Sequence, residues 1–224
     1  MTYPHFDELF ERIPALHGCA PAIEQALQLL SETYLRDGVI YCCGNGGSAA
    51  DAAHIVGELG KGFLSKRPVS GEQAEAIRKA CPAGVAERLL SHLQRGIRAH
   101  SLVSENSLVS AIANDLGGEF VFAQQIFAWG RPGDALIAIS TSGMAENVVQ
   151  AVWTARALGI RTVGLTGRDG GVLGTLADIA IRVPARKTHE IQELHIAVYH
   201  ALCAELEEVL LRRSPARQAR SQES

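Results

Sequence analysis

Four short apolar runs, each bounded by turn-forming residues, constrain the fold more than any other feature of this sequence. They are "GVIYCCG" (38–44), "DALIAIS" (134–140), "RTVGLTG" (161–167) and "IAIRVP" (179–184), and "IRAHSL" (97–102) is a further candidate strand. Continuous apolar runs are typical of strands that are buried on both faces. Because helical stretches lie between them, they predict a parallel sheet with helices on both sides. We therefore expect a three-layer α/β/α fold.

Helices are predicted for most of the remaining chain. Apolar residues recur at helical spacing over 6–35, and Pro14 and Pro21 divide this stretch into two extra N-terminal helices. The charged segment near 65–100 predicts a surface insertion of two short amphipathic helices between core elements. The other predicted helices cover 48–64, 106–115, 119–130, 143–159 and 190–213.

Length and composition limit the classes of protein that the chain can belong to. We assign one compact domain to 1–212 of the 224 residues, with the polar residues 213–224 as a flexible tail. A net charge of −3 without a basic patch argues against a nucleic-acid partner. No apolar run reaches the roughly 18 residues that span a bilayer, and no signal peptide is visible. Five cysteines without CxxC spacing favour reduced thiols, so we expect a cytoplasmic protein.

Two loops that follow predicted strands carry groups suited to binding an anion. In "GNGGS" (44–48), glycines allow a positive φ and a close approach of the backbone to a ligand, and the next helix directs its positive dipole end there. A simple tight turn is the alternative interpretation of this loop. In "STSG" (140–143), three hydroxyl residues can donate hydrogen bonds to phosphate oxygens at a helix N-terminus. A third loop, "TGRDGG" (166–171), is adequately explained as a structural turn.

Two predicted helices carry polar residues with the character of acid/base groups or metal ligands. His54 and Glu58 are four residues apart, so they share a helix face. Gln192, His195 and His200 interrupt the otherwise apolar last helix. Angular spacing groups Gln192 with His195 better than with His200, so the spacing does not select a histidine. A surface pair and a satisfied core histidine are the structural alternatives.

The order of these motifs resembles a known family. The quoted segments "CGNGGSAADAAH" with Glu58, "AIAND", "ISTSG", "LTGRDGG", "ADIAIRVP" and "IQELHIAVYH" are similar to the sugar isomerase (SIS) domain, and within it to the phosphoheptose isomerases. The resemblance covers about 6–210 apart from 65–100. It implies a flavodoxin-like, five-stranded parallel sheet in a homotetramer with sites shared between subunits. It also implies conversion of sedoheptulose 7-phosphate to D-glycero-D-manno-heptose 7-phosphate through an enediol.

The resemblance also assigns roles to residues. The catalytic pair falls on Glu58 and His200, which selects His200 over His195. The contacts to phosphate and sugar fall on Asn45, Gly46, Gly47, Ser48, Asn114, Asp115, Ser140, Thr141, Ser142 and Gln192. One Zn²⁺ per subunit would be held by His54, Glu58, Gln192 and His200, and imidazole and carboxylate ligands suit that ion.

Two departures from the family pattern leave the sugar open. Met144 and Ala145 stand where the family usually has Asn-Ser, and Thr188 and His189 stand where an acidic residue is frequent. An isomerase for a different sugar phosphate is therefore an alternative. A non-catalytic SIS regulator of the type that binds replication-initiation factors is another, although those proteins replace the Glu and His that this chain keeps. A phosphosugar-sensing module would be expected to carry a DNA-binding domain, and no such domain is visible.

Overall fold

The centre of the molecule is a sheet of five parallel strands, which confirms the predicted α/β/α fold. The computed structural model describes residues 3–212, so the predicted tail 213–224 lies outside the described part of the chain. The strands pair in the order β2-β1-β3-β4-β5. In chain order, β1 to β5 are Ile40–Gly44, Ala99–Ser101, Ala135–Ile139, Arg161–Thr166 and Ile179–Arg182.

Helices cover both faces of the sheet. In chain order, α1 to α10 are Pro4–Arg12, Ala20–Leu35, Gly47–Gly60, Gly71–Ala80, Ala83–His92, Asn106–Asp115, Ala123–Trp129, Glu146–Ala157, Leu173–Leu176 and Thr188–Arg212, with 3₁₀ turns at Pro14–Cys19 and Gly118–Phe120. Helices α1, α2, α3 and α10 pack on one face, and α6 to α9 pack on the other.

Two hydrophobic cores explain why the central strand β3 is apolar throughout. Along β3, Ala135, Ile137 and Ile139 enter the core beneath α3 and α10. Leu136 and Ala138 enter the core beneath α7 and α8. Because successive side chains of a strand point to opposite faces, a strand covered on both sides needs an apolar residue at every position.

The strand order creates a crevice at one edge of the sheet. Helix α3, which follows β1, lies on one face, whereas α8, which follows β3, lies on the other. The two neighbouring strands end together, since Gly44 pairs with Ile139. Chains that leave adjacent parallel strands toward opposite faces open a crevice at the carboxyl ends, where open α/β sheets bind ligands. The loops 45–48 and 140–143 form its two sides.

Several helix ends differ from the sequence prediction. Helix α3 ends at Gly60, four residues before the predicted end at 64, because Lys61 is extended and a carboxylate of α10 binds the following backbone N–H groups. Helix α10 starts at Thr188, two residues earlier than predicted. The short helix α9 was not predicted, because four residues are too few to show helical periodicity.

The predicted insertion is a helical hairpin. Helices α4 and α5 pack against each other, and their buried residues are Ala74 and Ala86. The chain enters and leaves the hairpin at adjacent points, because Pro68 and Gln94 form an antiparallel bridge. The insertion is therefore a nearly separate element attached at one place. Among the described residues, no helix is long and apolar enough to cross a membrane.

Candidate active site

Two asparagines join the two sides of the crevice. The Asn45 side chain donates to Oδ1 of Asn147 at 2.8 Å, and the Asn147 amide donates back to Oδ1 of Asn45 at 2.9 Å. Asn147 lies in the first turn of α8, so this pair connects the loop after β1 to the helix after β3. The sequence position of Asn147 does not indicate this role, because an asparagine near a helix start is ordinarily a local capping residue.

The loop after β1 has the backbone of an anion cradle. Gly46 has φ 55 and ψ −120, a conformation that residues with a side chain rarely adopt. Gly47 begins α3, and a Cβ there would overlap the side-chain amide of Gln192. The structure therefore brings Gln192 of α10 directly against the N-terminus of α3. Ser48, in the first turn of α3, is buried.

The hydroxyl loop after β3 is held by the turn 166–171. The backbone N–H of Gly167 donates to the carbonyl of Thr141 at 3.0 Å. Gly143 has φ 67, and a Cβ on it would overlap the carbonyl of Gly170. The turn thus acts as a support for the 140–142 hydroxyls, in agreement with its interpretation as a structural turn. The Ser142 side chain forms a local hydrogen bond, in which its Oγ accepts the N–H of Met144 at 3.1 Å.

Asn114 and Asp115 lie on the helix that follows β2. They end α6, and the Asn114 amide donates to Oδ1 of Asp115 at 2.7 Å. With residues of the same helix they line an open depression on the surface. Within residues 3–212, no hydrogen bond connects them to the loops 45–48 or 140–143.

The predicted catalytic residues meet where α3 packs against α10. His54 and His200 are 5.0 Å apart between ring centroids, with their planes at 88°. Nε2 of His54 is 3.1 Å from Oε1 of Glu58. Burial lowers the pKa of His200, with a further lowering from His54, and its Nε2 is buried without a hydrogen-bond partner in the described chain. A neutral imidazole with a free nitrogen therefore faces the His54–Glu58 pair.

The packing resolves the choice between the two histidines of α10. His195 has no exposed surface and lies within the protein interior. Burial lowers the pKa of His195 to about 4. A buried, neutral imidazole has the properties of a core residue. The structure thus places His200, and not His195, beside His54.

The α3 and α10 helices run in the same direction and contact each other at several levels. At the first level, Gln192 lies on Gly47, and further along, His200 lies beside His54. Since the rise per residue of a helix is 1.5 Å, Gly47 and His54 are separated by about 10 Å along α3. One end of this helix pair therefore forms part of the predicted anion cradle, and the predicted acid/base residues stand about two turns away.

A buried ion pair fixes the far end of the same helices. Arg67 has no exposed surface, and Glu207 is 2% exposed. The Arg67 guanidinium donates to Glu207 at 2.7 Å and to the carbonyls of Leu59 at 2.8 Å and Glu58 at 3.1 Å. Glu207 of α10 therefore holds the last turn of α3, which carries Glu58.

The donor atoms at this site are of the chemical types that bind metal ions. Two imidazoles and one carboxylate adjoin, and the unpartnered Nε2 of His200 is the type of atom that a cation would satisfy. They do not yet converge, since no group of three His, Cys, Asp or Glu residues within 3–212 has the geometry to hold an ion.

The fold and this crevice define the class of the protein. A 2-1-3-4-5 parallel sheet with a glycine-rich loop and a hydroxyl-rich loop at the switch point is the architecture of a phosphosugar-binding SIS domain. The SIS domain family model matches residues 6–89 and 83–167.

Comparison with known proteins gives the family within that class. The chain is 38% identical to the phosphoheptose isomerase of Rhodospirillum rubrum over 196 residues, which cover 87% of this chain and 89% of the relative. It is 39% identical to the phosphoheptose isomerase of Helicobacter pylori strain P12 over 189 residues, 84% of each chain. The solved structure of a phosphoheptose isomerase from Neisseria gonorrhoeae superposes with a TM-score of 0.70 at 33% identity, covering 92% of this chain and 96% of that one. The protein belongs to the phosphoheptose isomerase family, whose members are isomerase enzymes.

Proposed function

We propose that the protein converts sedoheptulose 7-phosphate to D-glycero-D-manno-heptose 7-phosphate through an enediol. The observation that carries the proposal is the position of Glu58 beside His54 and His200, on the two helices whose N-terminal ends adjoin the crevice. Membership of the phosphoheptose isomerase family supports the same reaction. The proposed substrate spans the distance from the cradle to these residues, with its phosphate at the crevice.

The phosphate would be bound by backbone N–H groups and hydroxyls from both sides of the crevice. The positive end of the α3 dipole and the exposed backbone of Gly46 favour a dianion at the loop after β1. Across the crevice, hydroxyls of the 140–142 loop donate to the remaining oxygens. The proposed contacts to phosphate and sugar on these two loops are Asn45, Gly46, Gly47, Ser48, Ser140, Thr141 and Ser142.

Glu58 and His200 are the proposed acid/base pair. Isomerisation moves a proton between C1 and C2, and Glu58 takes that proton as a carboxylate base. His200 is neutral near pH 7, because burial lowers its pKa. It can therefore accept or donate a proton at the sugar oxygens as the ring opens and the enediol forms.

The proposed cofactor is one Zn²⁺ per subunit, held by His54, Glu58, Gln192 and His200. When bound, the ion would supply a Lewis acid that polarises the sugar oxygens. Removal of the metal by a chelator is expected to lower turnover and to leave the fold intact.

We also propose a homotetramer in which neighbouring subunits complete the sites. Asn114 and Asp115 are proposed substrate contacts, yet among the described residues they form no hydrogen bond to the loops 45–48 and 140–143 of their own chain. Large apolar side chains are exposed on the face of the molecule that α6 to α8 form, which is typical of surfaces that bind a second subunit. They include Leu116, Phe127 and Trp153. The free thiols fit the cytoplasm as the proposed location.

A panel of phosphorylated ketoses of five to seven carbons, offered to the purified protein, tests the reaction. We expect the highest kcat/KM with sedoheptulose 7-phosphate. Loss of a general acid or base typically lowers the rate by about 10²–10⁴-fold, so Glu58→Gln and His200→Ala should fall in that range without unfolding. His17→Gln, a change at an exposed histidine of the 3₁₀ turn Pro14–Cys19, is the matched control and should keep full activity. Turnover that survives either substitution would show that the assigned roles are wrong.

A different sugar phosphate is the second candidate substrate. Met144 is 59% exposed at the mouth of the hydroxyl loop, where the family usually provides a polar side chain. The same panel tests this alternative. A higher kcat/KM with a shorter sugar phosphate than with sedoheptulose 7-phosphate would identify that shorter sugar as the substrate. Inactivity of the metal-loaded wild type on the whole panel would favour a non-catalytic regulator.

A further inference from the structure

A groove opens at the amino ends of strands β1, β2 and β3, whereas the crevice lies at the carboxyl ends of β1 and β3. Two cavities of about 520 and about 590 Å³ adjoin there, and they share Val39, Tyr41, Arg98 and Trp129 as lining residues. We call this continuous surface the basal groove. The five residues of β1 separate it from the loop 45–48 by about 16 Å. The residues assigned to the active site lie elsewhere, so a ligand of the basal groove would be distinct from the proposed substrate.

One end of the basal groove is aromatic. The His100 ring lies 5.1 Å from the Trp129 ring and 6.2 Å from the Tyr41 ring, with interplanar angles of 85° and 82°. Edge-to-face contacts of this kind hold aromatic rings in place. Trp129 is nevertheless 37% exposed, so part of its indole surface is open to a ligand. A planar ring can stack on such a surface, and Glu105 at the same end can accept a hydrogen bond from an amino group on that ring.

Tyr41 is a buried residue whose side chain borders the whole groove. It is 5% exposed and lines both cavities. Burial raises the pKa of Tyr41 and Asp134 adds to that rise, whereas Arg131 and Arg98 act against it. The hydroxyl is therefore protonated at neutral pH and lies near two guanidinium groups. Among residues 3–212 it has no hydrogen-bond partner, which points to an acceptor in the groove, because an unpaired hydroxyl at a buried position lowers stability.

The other end of the basal groove carries positive charge. Three arginines line it, namely Arg36, Arg98 and Arg131. The two carboxylates at this end are already hydrogen-bonded. Asp37 accepts from the Arg98 side chain at 3.2 Å, and Asp134 accepts two backbone N–H groups at 2.8 Å each. In the described part of the chain, neither Arg36 nor Arg131 has an ion-pair partner, so this end attracts an anion, and the guanidinium fork suits phosphate.

The structural alternative is that these arginines only cap helices. The carbonyl ends of α2 and α7 carry partial negative charge, which favours cations there. Arg131 donates to the carbonyl of Gly130 at 2.9 Å, and Arg98 donates to the carbonyl of Asp37 at 2.7 Å. Each contact uses one N–H of a guanidinium that has five, and both side chains are exposed. Capping therefore explains some of the donors, but it does not explain the exposed indole or the unpaired hydroxyl beside them.

We propose that the basal groove binds a nucleoside diphosphate, with the base stacked on Trp129 and the phosphates bound by Arg98 and Arg131. A nucleotide joins a planar ring to phosphates through a ribose, which matches an aromatic end that adjoins a charged end. A sugar phosphate has no planar ring, so it would gain nothing from Trp129. Free nucleotides and nucleotide sugars share the base and the diphosphate. The proposal does not rest on the proposed function, and the groove and the crevice can be occupied together.

Tryptophan fluorescence tests the stacking directly. The chain has two tryptophans, so Trp153→Phe leaves Trp129 as the single reporter. ADP added to this full-length variant, with excitation at a wavelength that adenine does not absorb, should quench the emission in a saturable way. Adenosine and pyrophosphate should each bind at least about tenfold more weakly than ADP, because each occupies only one end of the groove. Calorimetric titration of the wild type with ADP measures the same dissociation constant without the substitution.

Substitutions at the groove test the assigned contacts. Arg98→Ala and Arg131→Ala should weaken ADP binding about 10–100-fold, the typical effect of losing a hydrogen bond to a charged group. Tyr41→Phe keeps the ring and removes only the hydroxyl, so a loss of about 3–10-fold is expected. Arg88→Ala, a change at an exposed arginine of α5, is the matched control and should bind like the wild type. Equal weakening in Arg88→Ala would show non-specific attraction and would overturn the proposal.

The remaining outcomes identify the ligand or reject the site. Tighter binding of ADP-glucose than of ADP would identify a nucleotide sugar as the ligand, and weaker binding would identify a free nucleotide. The proposal fails if ADP does not bind saturably, or if pyrophosphate binds as tightly as ADP. It also fails if Trp129 emission responds to protein concentration and not to ADP, because a second subunit would then cover the groove. Since the readout is binding, a protein that turns over no sugar phosphate but binds ADP would contradict the proposed function alone.

Discussion

At the scale of single residues, one buried histidine links stability to pH. The pKa of His195 is about 4 in the folded protein, against an ordinary value of 6.5. Because the folded pKa is below the unfolded one, its contribution to stability is complete above pH 6.5 and is lost as the pH falls toward 4. At about pH 5 the loss amounts to about 2 kcal/mol of the free energy of unfolding.

We predict that His195→Gln reduces this pH dependence. Urea unfolding at about pH 7.5 and about pH 5 should show a smaller fall in stability for the variant than for the wild type, by about 2 kcal/mol. The exposed His189 provides the control, and His189→Gln should keep the wild-type slope. Equal slopes in His195→Gln and the wild type would mean that His195 does not titrate in this range.

Single residues also show where sequence reasoning succeeds. The loops 45–48 and 140–142 were recognisable because their glycines and hydroxyls are contiguous and follow strands. Spacing could not choose between His195 and His200, because the choice depends on which face of α10 packs on α3. The basal groove was not predictable for a similar reason, since Tyr41 and Trp129 are distant in sequence and an aromatic residue in an apolar strand or helix indicates only core packing.

At the scale of elements, the α3–α10 pair is held at its far end by the Arg67–Glu207 ion pair. The carboxylate also accepts the backbone N–H groups of Phe63, Leu64 and Ser65. Burial acts to raise the pKa of Glu207, but these hydrogen bonds and the guanidinium lower it further, so the net pKa is below its ordinary value. The backbone of residues 63–65, which follows α3, is thus hydrogen-bonded to the single carboxylate of Glu207.

We predict that Glu207→Ala lowers the free energy of unfolding by about 3–5 kcal/mol, because it leaves the Arg67 guanidinium buried without its counter-ion. Denaturant titration measures the loss. Glu75→Ala breaks an exposed ion pair with Arg78 and is the matched control, with an expected change below about 1 kcal/mol. A loss in Glu207→Ala as small as in the control would show that the carboxylate does not anchor α3.

At the scale of the whole molecule, the fold was predictable from pattern and its topology was not. Continuous apolar runs such as 134–140 identified a buried parallel sheet, since only strands covered on both faces lack polar positions. The order β2-β1-β3-β4-β5 leaves no trace in periodicity, because pairing joins strands far apart in sequence. The apolar runs and the candidate 97–102 gave five predicted strands, and the family resemblance implied the same number. The crevice between β1 and β3 depends on that order, so its position could not be derived from either loop alone.

The α4–α5 insertion is a large element that contributes no residue to either hydrophobic core on the sheet. Pro68 and Gln94 are bridged, and Oε1 of Gln94 accepts the N–H groups of Gly62 at 3.2 Å and Arg67 at 3.1 Å. The junction is therefore closed by residues outside the hairpin itself. Because the entropy of closing a loop changes slowly with its length, a short linker should replace the hairpin at little cost.

We predict that replacing 69–93 by a short Gly-Ser linker leaves a folded protein whose thermal midpoint is within a few degrees of the wild type, since about 1 kcal/mol corresponds to only about 2–4 °C in a domain of this size. Circular dichroism measures the midpoint, and gel filtration measures the assembly. Extending the deletion through Gln94 is the contrasting variant and should unfold at a lower temperature, because Gly62 and Arg67 lose their shared acceptor. A shortened protein that fails to fold would show that the hairpin belongs to the core. If it folds, an altered assembly identifies the hairpin as an intersubunit contact, whereas unchanged assembly with an altered KM identifies it as a lid over the site.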